Sequence, residues 1–544
     1  MRRKPLALRC LLACVLPLSV AHCASTAAPV LAPLPRGDDP SLVVIISIDQ
    51  ARYDYLVRFR SLFTGGLAHL LDSGAVFTDA HQNHSMTATA PGHATISTGL
   101  EPARSGIVGN DWYDRLQNVS VYSGGPAGQR SPLLLEGTAI GDWMKAADPR
   151  SKVLTASIKD RSAIMLGGQG ADGAFWYDGT YGFWTSSSFY GTSLPDWLVQ
   201  FNREERLNRF YGTPWEPLTD ARLWPEVDVE HVDTGAFARA FPHVLGWSSP
   251  IPGASFYGRI PNSPWGDWYL AELAQALIVN EDLGADGSVD LLGLSFSSLD
   301  YVGHSYGPNA PETLDILVNL DRRLAELLEF IDERVGLDHV LFALSADHGV
   351  QVMPEYVARR GVEGERLDGA DLLCVQQAGA RLRERLGDHA WIESSYYLDE
   401  AVIAAQELDK ADVEAELAAI LSACPMVERV WTSAELMDEA PSADLQTQRY
   451  RNNYFPGRSP DLVVQFHDYF LDDQSMGTTH GTVFDYDSHV PMIVAGPGVA
   501  AGEHHERAAT VDIAPTLAGL LGIDAPADLD GRDLSALLRT GGGQ

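Results

Sequence analysis

Three stretches of the chain are predominantly apolar, and each is followed within a few residues by an aspartate. They are 42–48 with Asp49, 289–296 with Asp300, and 339–346 with Asp347. Runs of this kind, in which polar and apolar residues do not alternate, are typical of parallel strands that are buried on both faces. The pattern therefore predicts a parallel sheet with several strands that end in carboxylates.

A long amphipathic segment lies between the second and third stretches. From Pro311 to Val335, leucine, valine and isoleucine recur at helical spacing on one face. A strand, a helix and a strand in succession imply a right-handed crossover, and ligands of open α/β sheets bind beyond the carboxyl ends of the strands. Carboxylates that meet at this edge repel one another unless protons or cations compensate. A bound metal ion is the economical explanation.

Two segments depart from this pattern, so the predicted fold is an α/β core with two inserted subdomains. The core is predicted to be a mainly parallel central sheet flanked by helices, in three parts: 40–165, 286–350 and 461–540. Residues 166–285, rich in aromatic residues and glycine, are interpreted as a packed subdomain or as a wall of the substrate pocket. Residues 351–460 form the second insertion, a cap. They carry charged helical stretches and the basic, aromatic patch 449–454, for which a solvated loop is predicted.

The N-terminus has the organisation of an export signal. Basic residues precede a short apolar run, and small residues follow it; the run is shorter than the ~20 residues of a membrane span. Residues 1–28 are therefore predicted to be a signal peptide, and the protein to be periplasmic or secreted. Lipidation at Cys23 is the less favoured alternative, because His22 stands where a small residue is expected.

The net charge limits the classes of binding partner, and the cysteines bear on the redox state of the compartment. There are 39 Lys and Arg against 73 Asp and Glu, a net charge of −34, which argues against nucleic acid or an anionic membrane as the main partner. An anionic small substrate is compatible with this charge, because bound cations invert the sign locally. Two cysteines, Cys374 and Cys424, follow the leader; they could form a disulfide in an oxidising compartment, and the sequence leaves the pairing open.

Thr89 stands at the start of a short helical pattern. Pro91 suits the first position of a helix, so Thr89 is predicted to lie at a helix N-terminus, where free amides favour negative charge. A hydroxyl at that place can act as a nucleophile if a cation also binds it. The alternative is a threonine that only caps the helix.

Histidines accompany the predicted carboxylates. His304 follows Asp300 by four residues, His348 is adjacent to Asp347, and His480 lies in a loop of glycine and threonine. Mixed aspartate and histidine ligands suit zinc better than magnesium. The candidate set is sufficient for two metal sites: Asp49, Thr89, Asp300, His304, Asp347, His348 and His480. Two metal ions roughly 4 Å apart can bind the attacking and the leaving oxygen of a phosphoryl displacement.

Short motifs that run through most of the chain complete the pattern. They are 45–49, 89–93, 106–110, 159–161, 300–308, 347–349 and 480–481. With these motifs in this order, the chain resembles the alkaline phosphatase superfamily, and within it the phosphate-irrepressible (PafA-type) branch with a threonine nucleophile. That branch is related to the type I phosphodiesterases and nucleotide pyrophosphatases.

The resemblance implies an alkaline-phosphatase-like fold and two Zn²⁺ ions. One would be held by Asp300, His304 and His480. The other would be held by Asp49, Asp347, His348 and the Thr89 oxygen. Thr89 would be phosphorylated and the phosphothreonine then hydrolysed. His489 is the competing candidate for the role of His480, which is preferred because it precedes a glycine, as the family motif requires.

Three further residues bear on the substrate class. Asn110, Lys159 and Arg161 could together neutralise the non-bridging oxygens of a phosphate dianion, and Lys159 and Arg161 share one face if their segment is extended. A diester carries one charge less and gains less from such a clamp. The resemblance therefore implies an alkaline phosphatase that hydrolyses phosphate monoesters. The alternatives are a phosphodiesterase or nucleotide pyrophosphatase of the same fold and a non-catalytic cell-surface binding protein.

The remaining expectations concern partners and one excluded branch. Small phosphate esters are the expected partners, with no nucleic acid, no integral membrane segment, and a monomer or small homo-oligomer as the assembly. A sulfatase is excluded, because residues 89–93 lack the Cys/Ser and the Arg of the sulfatase motif.

Overall fold

The structure is a computed structural model, and it describes residues 39–126, 129–224, 227, 241–246, 250–438, 440–472 and 477–539. These residues belong to one compact unit, Arg36–Gln544. The predicted signal peptide, 1–28, and the candidate lipidation site Cys23 lie outside the described residues. Among the helices that are described, none has the length and apolar character of a bilayer span.

A nine-stranded sheet forms the centre of the molecule. Its strands in chain order are β1 (Leu42–Ile48), β2 (Ala75–Phe77), β3 (Val153–Ser157), β4 (Gly173–Asp178), β5 (Phe183–Thr185), β6 (Asp290–Phe296), β7 (Val340–Ser345), β8 (Met492–Ala495) and β9 (Gly502–His504). Across the sheet the order is β9–β2–β8–β7–β1–β6–β3–β4–β5. The strand β1 lies between β6 and β7 and is parallel to both, and β3 continues the parallel run beside β6. The predicted α/β fold class is confirmed.

Helices cover both faces of this sheet. The longer helices of the chain are α1 (Gly66–Ser73), α2 (Thr89–Thr98), α3 (Ile140–Ala147), α4 (Asp160–Gly167), α5 (Asp196–Arg203), α6 (Pro264–Asn280), α7 (Ser298–Tyr306), α8 (Pro311–Arg334), α9 (Ala378–Leu386), α10 (Lys410–Leu421), α11 (Leu445–Asn453) and α12 (Ile513–Leu521). Of these, α9, α10 and α11 belong to the second insertion and pack in clusters of their own. Side chains of β1 alternate between two apolar clusters, one shared with α1, α6 and α8 and the other with α2, α3 and α12. The result is a three-layer arrangement in which the sheet is buried on both sides.

The apolar runs and the long helix lie where the sequence predicts them. The strand β1 has the predicted bounds, and β6, β7 and α8 differ from them by one residue at one or both ends. Agreement is close here because a continuous buried run and a long helical periodicity each depend on many residues.

The aromatic-rich segment 166–285 is not separate from the sheet. Its strands β4 and β5 extend the sheet at one edge, β4 parallel to β3 and β5 antiparallel to β4. Its aromatic residues Tyr177, Trp184 and Tyr269 belong to the main apolar core. The predicted boundary at 166 therefore divides the sheet. The sequence does not predict β4 as a strand of this sheet, because glycine and aromatic residues interrupt the aliphatic pattern by which the other strands are recognised.

The second insertion has a core of its own and extends further than predicted. Its helices α9 and α10 share a buried cluster, and Cys374 is bonded to Cys424. Strand Leu462–Phe466 pairs antiparallel with Val427–Thr432 of the same insertion. The prediction that the central core resumes at 461 is thus wrong for this strand. Its middle residues Val463 and Val464 are only half-buried, since it belongs to a two-stranded sheet.

The basic, aromatic patch 449–454 is not a solvated loop, and that prediction is wrong. It lies in and directly after α11, and Arg449, Tyr450 and Tyr454 are buried. The basic residues of the patch favour an exposed position when only the sequence is considered, because the sequence does not show which groups accept hydrogen bonds from the guanidinium and amide groups.

Candidate active site

Four neighbouring strands bring most of the predicted site residues to one edge of the sheet. Asp49 follows β1, Asp347 follows β7 after one residue, and Lys159 follows β3 after one residue. Asp300 and His304 lie on α7, which begins two residues after β6. Because β1, β3, β6 and β7 are mutually parallel, their carboxyl ends meet at the same place.

Thr89 is the first residue of α2 and is fully buried. The helix therefore begins two residues earlier than Pro91 suggests, and Pro91 occupies the third helical position. Proline is tolerated there because none of the first four amides of a helix has an intrahelical partner. The next residue, Gly92, packs on the backbone of Asp347, where a Cβ would lie 2.2 Å from the Asp347 carbonyl oxygen. This close contact places Thr89 beside the carboxylates.

The aspartates and histidines form two adjacent groups of candidate ligands. His348 Nε2 lies 3.5 Å from Asp49 Oδ1 and 3.5 Å from Asp347 Oδ2. Asp300 Oδ1 lies 3.2 Å from His304 Nε2 and 3.7 Å from His480 Nε2. The rings of His348 and His480 stack with centroids 3.5 Å apart, so the two groups are contiguous. All six side chains are thus brought together.

Backbone carbonyls fix the tautomer of all three histidines. The Nδ1 atoms of His304, His348 and His480 lie 2.8, 2.9 and 2.7 Å from the carbonyl oxygens of Thr478, Gly349 and Thr87. A carbonyl can only accept, so Nδ1 donates and Nε2 presents a lone pair. Those lone pairs face carboxylate oxygens, and the buried Asp49 Oδ1 and His348 Nε2 have no hydrogen-bond partner among the described residues. Acceptors that face acceptors in a buried space fit a cation.

The electrostatics of the site favour neutral imidazoles at two of the three histidines, whereas at His304 the attraction of Asp300 outweighs burial and raises the pKa. Burial lowers the pKa of His348 to about 4 and, with the neighbouring histidines, holds the pKa of His480 well below its ordinary value. Both imidazoles are therefore neutral near pH 7 and available as ligands. Burial and repulsion from Asp300 and Asp347 raise the pKa of Asp49. A divalent cation would relieve that repulsion.

Two cationic side chains converge on the Thr89 hydroxyl. Lys159 Nζ lies 3.4 Å and Arg161 Nη2 lies 3.3 Å from Thr89 Oγ1. Lys159 Nζ also lies 2.8 Å from Asp49 Oδ2 and 2.6 Å from Asp300 Oδ2, so part of its charge compensates those carboxylates. The segment is the start of α4 rather than extended backbone. The two side chains reach the same hydroxyl from the N-cap and the second residue of that helix.

Asn110 completes the set beside the start of α2. Its Oδ1 accepts a hydrogen bond of 2.9 Å from the backbone N–H of Ala90. That bond fixes the amide orientation and leaves the side-chain NH₂ as a donor for a ligand in the cleft that Asn110 and Arg161 line.

The similarity of the chain to known proteins agrees with this geometry. The model of the type I phosphodiesterase / nucleotide pyrophosphatase family matches residues 43–482. The chain belongs to this family. It is 31% identical over 524 residues to alkaline phosphatase PafA of Elizabethkingia meningoseptica, covering 92% of this chain and 94% of the relative. It is likewise 31% identical to alkaline phosphatase PhoV of Synechococcus elongatus, covering 92% and 93%.

A solved structure shows the same fold. The crystal structure of wild-type alkaline phosphatase PafA superimposes with a TM-score of 0.83 at 30% identity and covers 93% of this chain and 99% of that one. These similarities confirm the predicted superfamily and show that this family member is a phosphoesterase. They also imply a metal cofactor, for which the compact candidate ligand groups are Asp49, Asp347 and His348, and Asp300, His348 and His480.

A third group of candidate ligands in this phosphoesterase differs from the first two in the hydrogen bonds that its histidines make. Asp79, His81 and His489 lie close together. Arg449 Nη2 donates to His81 Nδ1, so His81 Nε2 carries the proton and donates to Asp79 Oδ1 at 2.8 Å. His489 Nε2 donates to the Thr78 carbonyl at 3.0 Å. Both ring nitrogens of His81 are therefore engaged in hydrogen bonds, one as acceptor and one as donor, and His489 lies with this group rather than with Asp300.

Three residues without an assigned role in the sequence analysis support the site. Gln50 donates from Nε2 to Asp300 Oδ1 at 2.9 Å and from its backbone N–H to Asp347 Oδ1 at 3.1 Å. His93 Nδ1 lies 2.7 Å from the Thr89 carbonyl and 3.2 Å from Asp347 Oδ2. Asp487 Oδ2 accepts hydrogen bonds from Gly481 N, Thr482 N and Thr482 Oγ1. Two of these roles have a signal in the sequence, since Gln50 is adjacent to Asp49 and His93 lies in the motif that contains Thr89. Asp487 has no such signal.

We expect Asp487→Asn to weaken metal binding about 10–100-fold, because residues that orient a ligand-bearing loop have effects of this size. A neutral amide oxygen accepts the hydrogen bonds from Gly481 and Thr482 more weakly than a carboxylate oxygen does, which would loosen the loop after His480. Competition with a chromogenic chelator measures the affinity. Asp485→Asn is the matched control, since Asp485 is two residues away and its side chain is 83% exposed. Equal affinities in the two variants would contradict the role of Asp487.

Proposed function

We propose that the protein is a zinc-dependent phosphatase that hydrolyses phosphate monoesters through a phosphothreonine at Thr89. One observation carries the proposal: the Thr89 hydroxyl lies within 3.4 Å of both Lys159 and Arg161, at the edge where the aspartates and histidines converge. A buried hydroxyl between two cations is suited to becoming an oxyanion and attacking an electrophile.

The ligand groups divide into two sites in this proposal. Asp300, His304 and His480 would hold one zinc ion. Asp49, Asp347, His348 and the Thr89 oxygen would hold the second. Bound zinc ions would supply Lewis-acid stabilisation of the negative charge that develops on the attacking and the leaving oxygen. The mixture of imidazole and carboxylate donors supports zinc over magnesium.

The chain's own residues account for the covalent steps. Thr89 Oγ1 forms a bond to phosphorus while the bond from phosphorus to the leaving oxygen breaks, which gives phosphothreonine and an alcohol. Water then attacks the same phosphorus, and Thr89 leaves with its hydroxyl restored and inorganic phosphate as product.

Arg161 and Asn110 support the choice of a monoester. Arg161 presents a rigid set of N–H donors, and the Asn110 NH₂ adds another, so both can bind non-bridging oxygens of a dianion. Burial opposes the charge of Arg161, but the nearby Tyr122, Asp49 and Asp300 raise its pKa, so it remains a cation. A phosphodiesterase or nucleotide pyrophosphatase is the second candidate, since the matching family model is described by those activities.

The two candidates differ in what Arg161→Ala should do. We expect kcat/KM for p-nitrophenyl phosphate to fall about 10²–10³-fold, the usual effect of losing one donor to a transition-state oxyanion. The factor by which kcat/KM for bis(p-nitrophenyl) phosphate falls should be at most about one tenth of the factor for the monoester, because the diester carries one negative charge less. Arg150→Ala is the matched control, as Arg150 is exposed and pairs with Asp148. Equal losses on both esters, or a faster diester reaction in the wild type, would favour the diesterase.

We also propose that the protein is exported. The proposal is supported by the predicted signal peptide and by the Cys374–Cys424 disulfide, because disulfides persist in oxidising compartments.

A further inference from the structure

The cleft in front of the site is larger than a phosphate group requires. It has a volume of about 580 Å³, within the range of ~300–1,000 Å³ that is usual for small-molecule sites. Polar residues of the proposed phosphate site, Asn110, Arg161, His304 and His480, line one part of it. The remainder is free to receive the group to which the phosphate is esterified.

That remainder is lined by apolar and aromatic side chains, most of them from the second insertion. They are Met86, Trp112, Tyr397, Tyr450, Tyr454 and Val463. Tyr450 and Tyr454 belong to one buried cluster together with Trp431, and Val463 packs against that cluster. Their positions are therefore fixed by packing before any ligand binds, which lowers the cost of ordering them on binding.

The helix α11 fixes this wall to the catalytic loops through polar contacts. Asn453 accepts from the backbone N–H of Met86 at 3.2 Å and donates from Nδ2 to the carbonyl of Val108 at 3.2 Å. Asn452 donates to the carbonyl of Asn83 at 2.7 Å, and Arg449 donates to that of Val483. The loops that lead to Thr89, to Asn110 and away from His480 are thus all held by one helix face. The wall has a fixed position relative to the phosphate end.

We propose that this wall is a leaving-group subsite that favours phosphate monoesters with an aromatic ring in the leaving group. The inference rests on the proposed function, since it extends the same cleft. Aromatic rings gain from contact with other aromatic faces and edges beyond the area that they bury. Asp111, exposed at the cleft, disfavours a leaving group with further negative charge.

The test compares phenyl phosphate with methyl phosphate in the metal-replete protein. We expect Tyr454→Leu to lower kcat/KM for phenyl phosphate about tenfold, the size of a lost aromatic contact, and Val463→Ala to act in the same direction. The loss for methyl phosphate should be at least about threefold smaller. Because each variant is compared with the wild type on the same ester, the different intrinsic reactivities of the two esters cancel. Tyr396→Leu is the matched control, as Tyr396 packs in the separate core of the second insertion.

A binding measurement separates this inference from the proposed function. Benzylphosphonate and ethylphosphonate mimic the two esters without being cleaved, and their Kd values can be measured calorimetrically. We expect benzylphosphonate to bind at least about tenfold more tightly and to lose this advantage in Tyr454→Leu. Equal losses on both esters, equal Kd values, or the same shift in Tyr396→Leu would overturn the inference. If wild-type protein hydrolyses neither monoester, the proposed function fails, and the phosphonate pair still decides the subsite.

Discussion

Replacing Thr89 by alanine is expected to lower kcat/KM for a phosphate monoester by at least about 10⁴-fold, since removal of a catalytic nucleophile has effects of this order. That loss corresponds to about 5 kcal/mol of transition-state stabilisation. The change removes the oxygen that Lys159 and Arg161 approach within 3.4 Å, together with one proposed zinc ligand. Steady-state hydrolysis of p-nitrophenyl phosphate measures it.

Two controls separate lost chemistry from lost structure. Thr89→Ser keeps the hydroxyl and should retain activity within about tenfold of the wild type, because the nucleophile is preserved. Thr89→Ala should keep the thermal unfolding midpoint of the wild type, since a small side chain is replaced by a smaller one within the well-packed helix α2. Acid-quenched wild-type protein should carry one phosphoryl group on the peptide that contains Thr89. Substantial hydrolysis by Thr89→Ala would contradict a threonine nucleophile.

Removal of bound metal is expected to abolish hydrolysis, and added zinc to restore it. The carboxylates of Asp49, Asp300 and Asp347 are buried together, and Lys159 contacts the first two. Without further positive charge, these groups repel the phosphate dianion. Chelator treatment followed by stepwise addition of zinc, with magnesium in parallel, measures the recovery. Full activity after complete removal of metal would contradict the account.

Alanine variants of His480 and His489 form a matched pair that tests which histidine is a metal ligand. His480→Ala removes a lone pair that faces Asp300 and should lower activity at limiting zinc on the order of 10³-fold, because the Lewis acid contributes several kcal/mol. His489→Ala should retain activity within about tenfold, since His489 Nε2 donates to the Thr78 carbonyl instead. If His489→Ala were the more damaging change, the ligand assignment would be wrong.

The central layout of the fold could be predicted because it depends on redundant signals. Three apolar runs that end in aspartates, with a long amphipathic helix between two of them, are sufficient for a parallel sheet and for the edge where ligands bind. The convergence of residues 49 to 480 follows from that topology. The individual distances do not, since they depend on side-chain packing.

The parts that could not be predicted depend on tertiary partners. Asn452 and Asn453 look like surface residues, yet each bonds to the backbone of a loop more than 340 positions away in sequence. Strand Leu462–Phe466 has the composition of a core strand, and only its pairing with Val427–Thr432 shows that it belongs to the second insertion. Asp487 accepts hydrogen bonds from three donors in one turn, and the sequence does not show that these donors lie within reach of its side chain.

Anomalous X-ray diffraction at the zinc edge, from crystals grown with zinc and inorganic phosphate, would locate the bound metal ions relative to Thr89. The two-zinc assignment predicts two peaks beside Thr89, one among Asp300, His304 and His480 and the other among Asp49, Asp347 and His348, with phosphate contacting Arg161. A single peak at Asp79, His81 and His489, or none within coordination distance of the aspartates that follow β1 and β7, would contradict it.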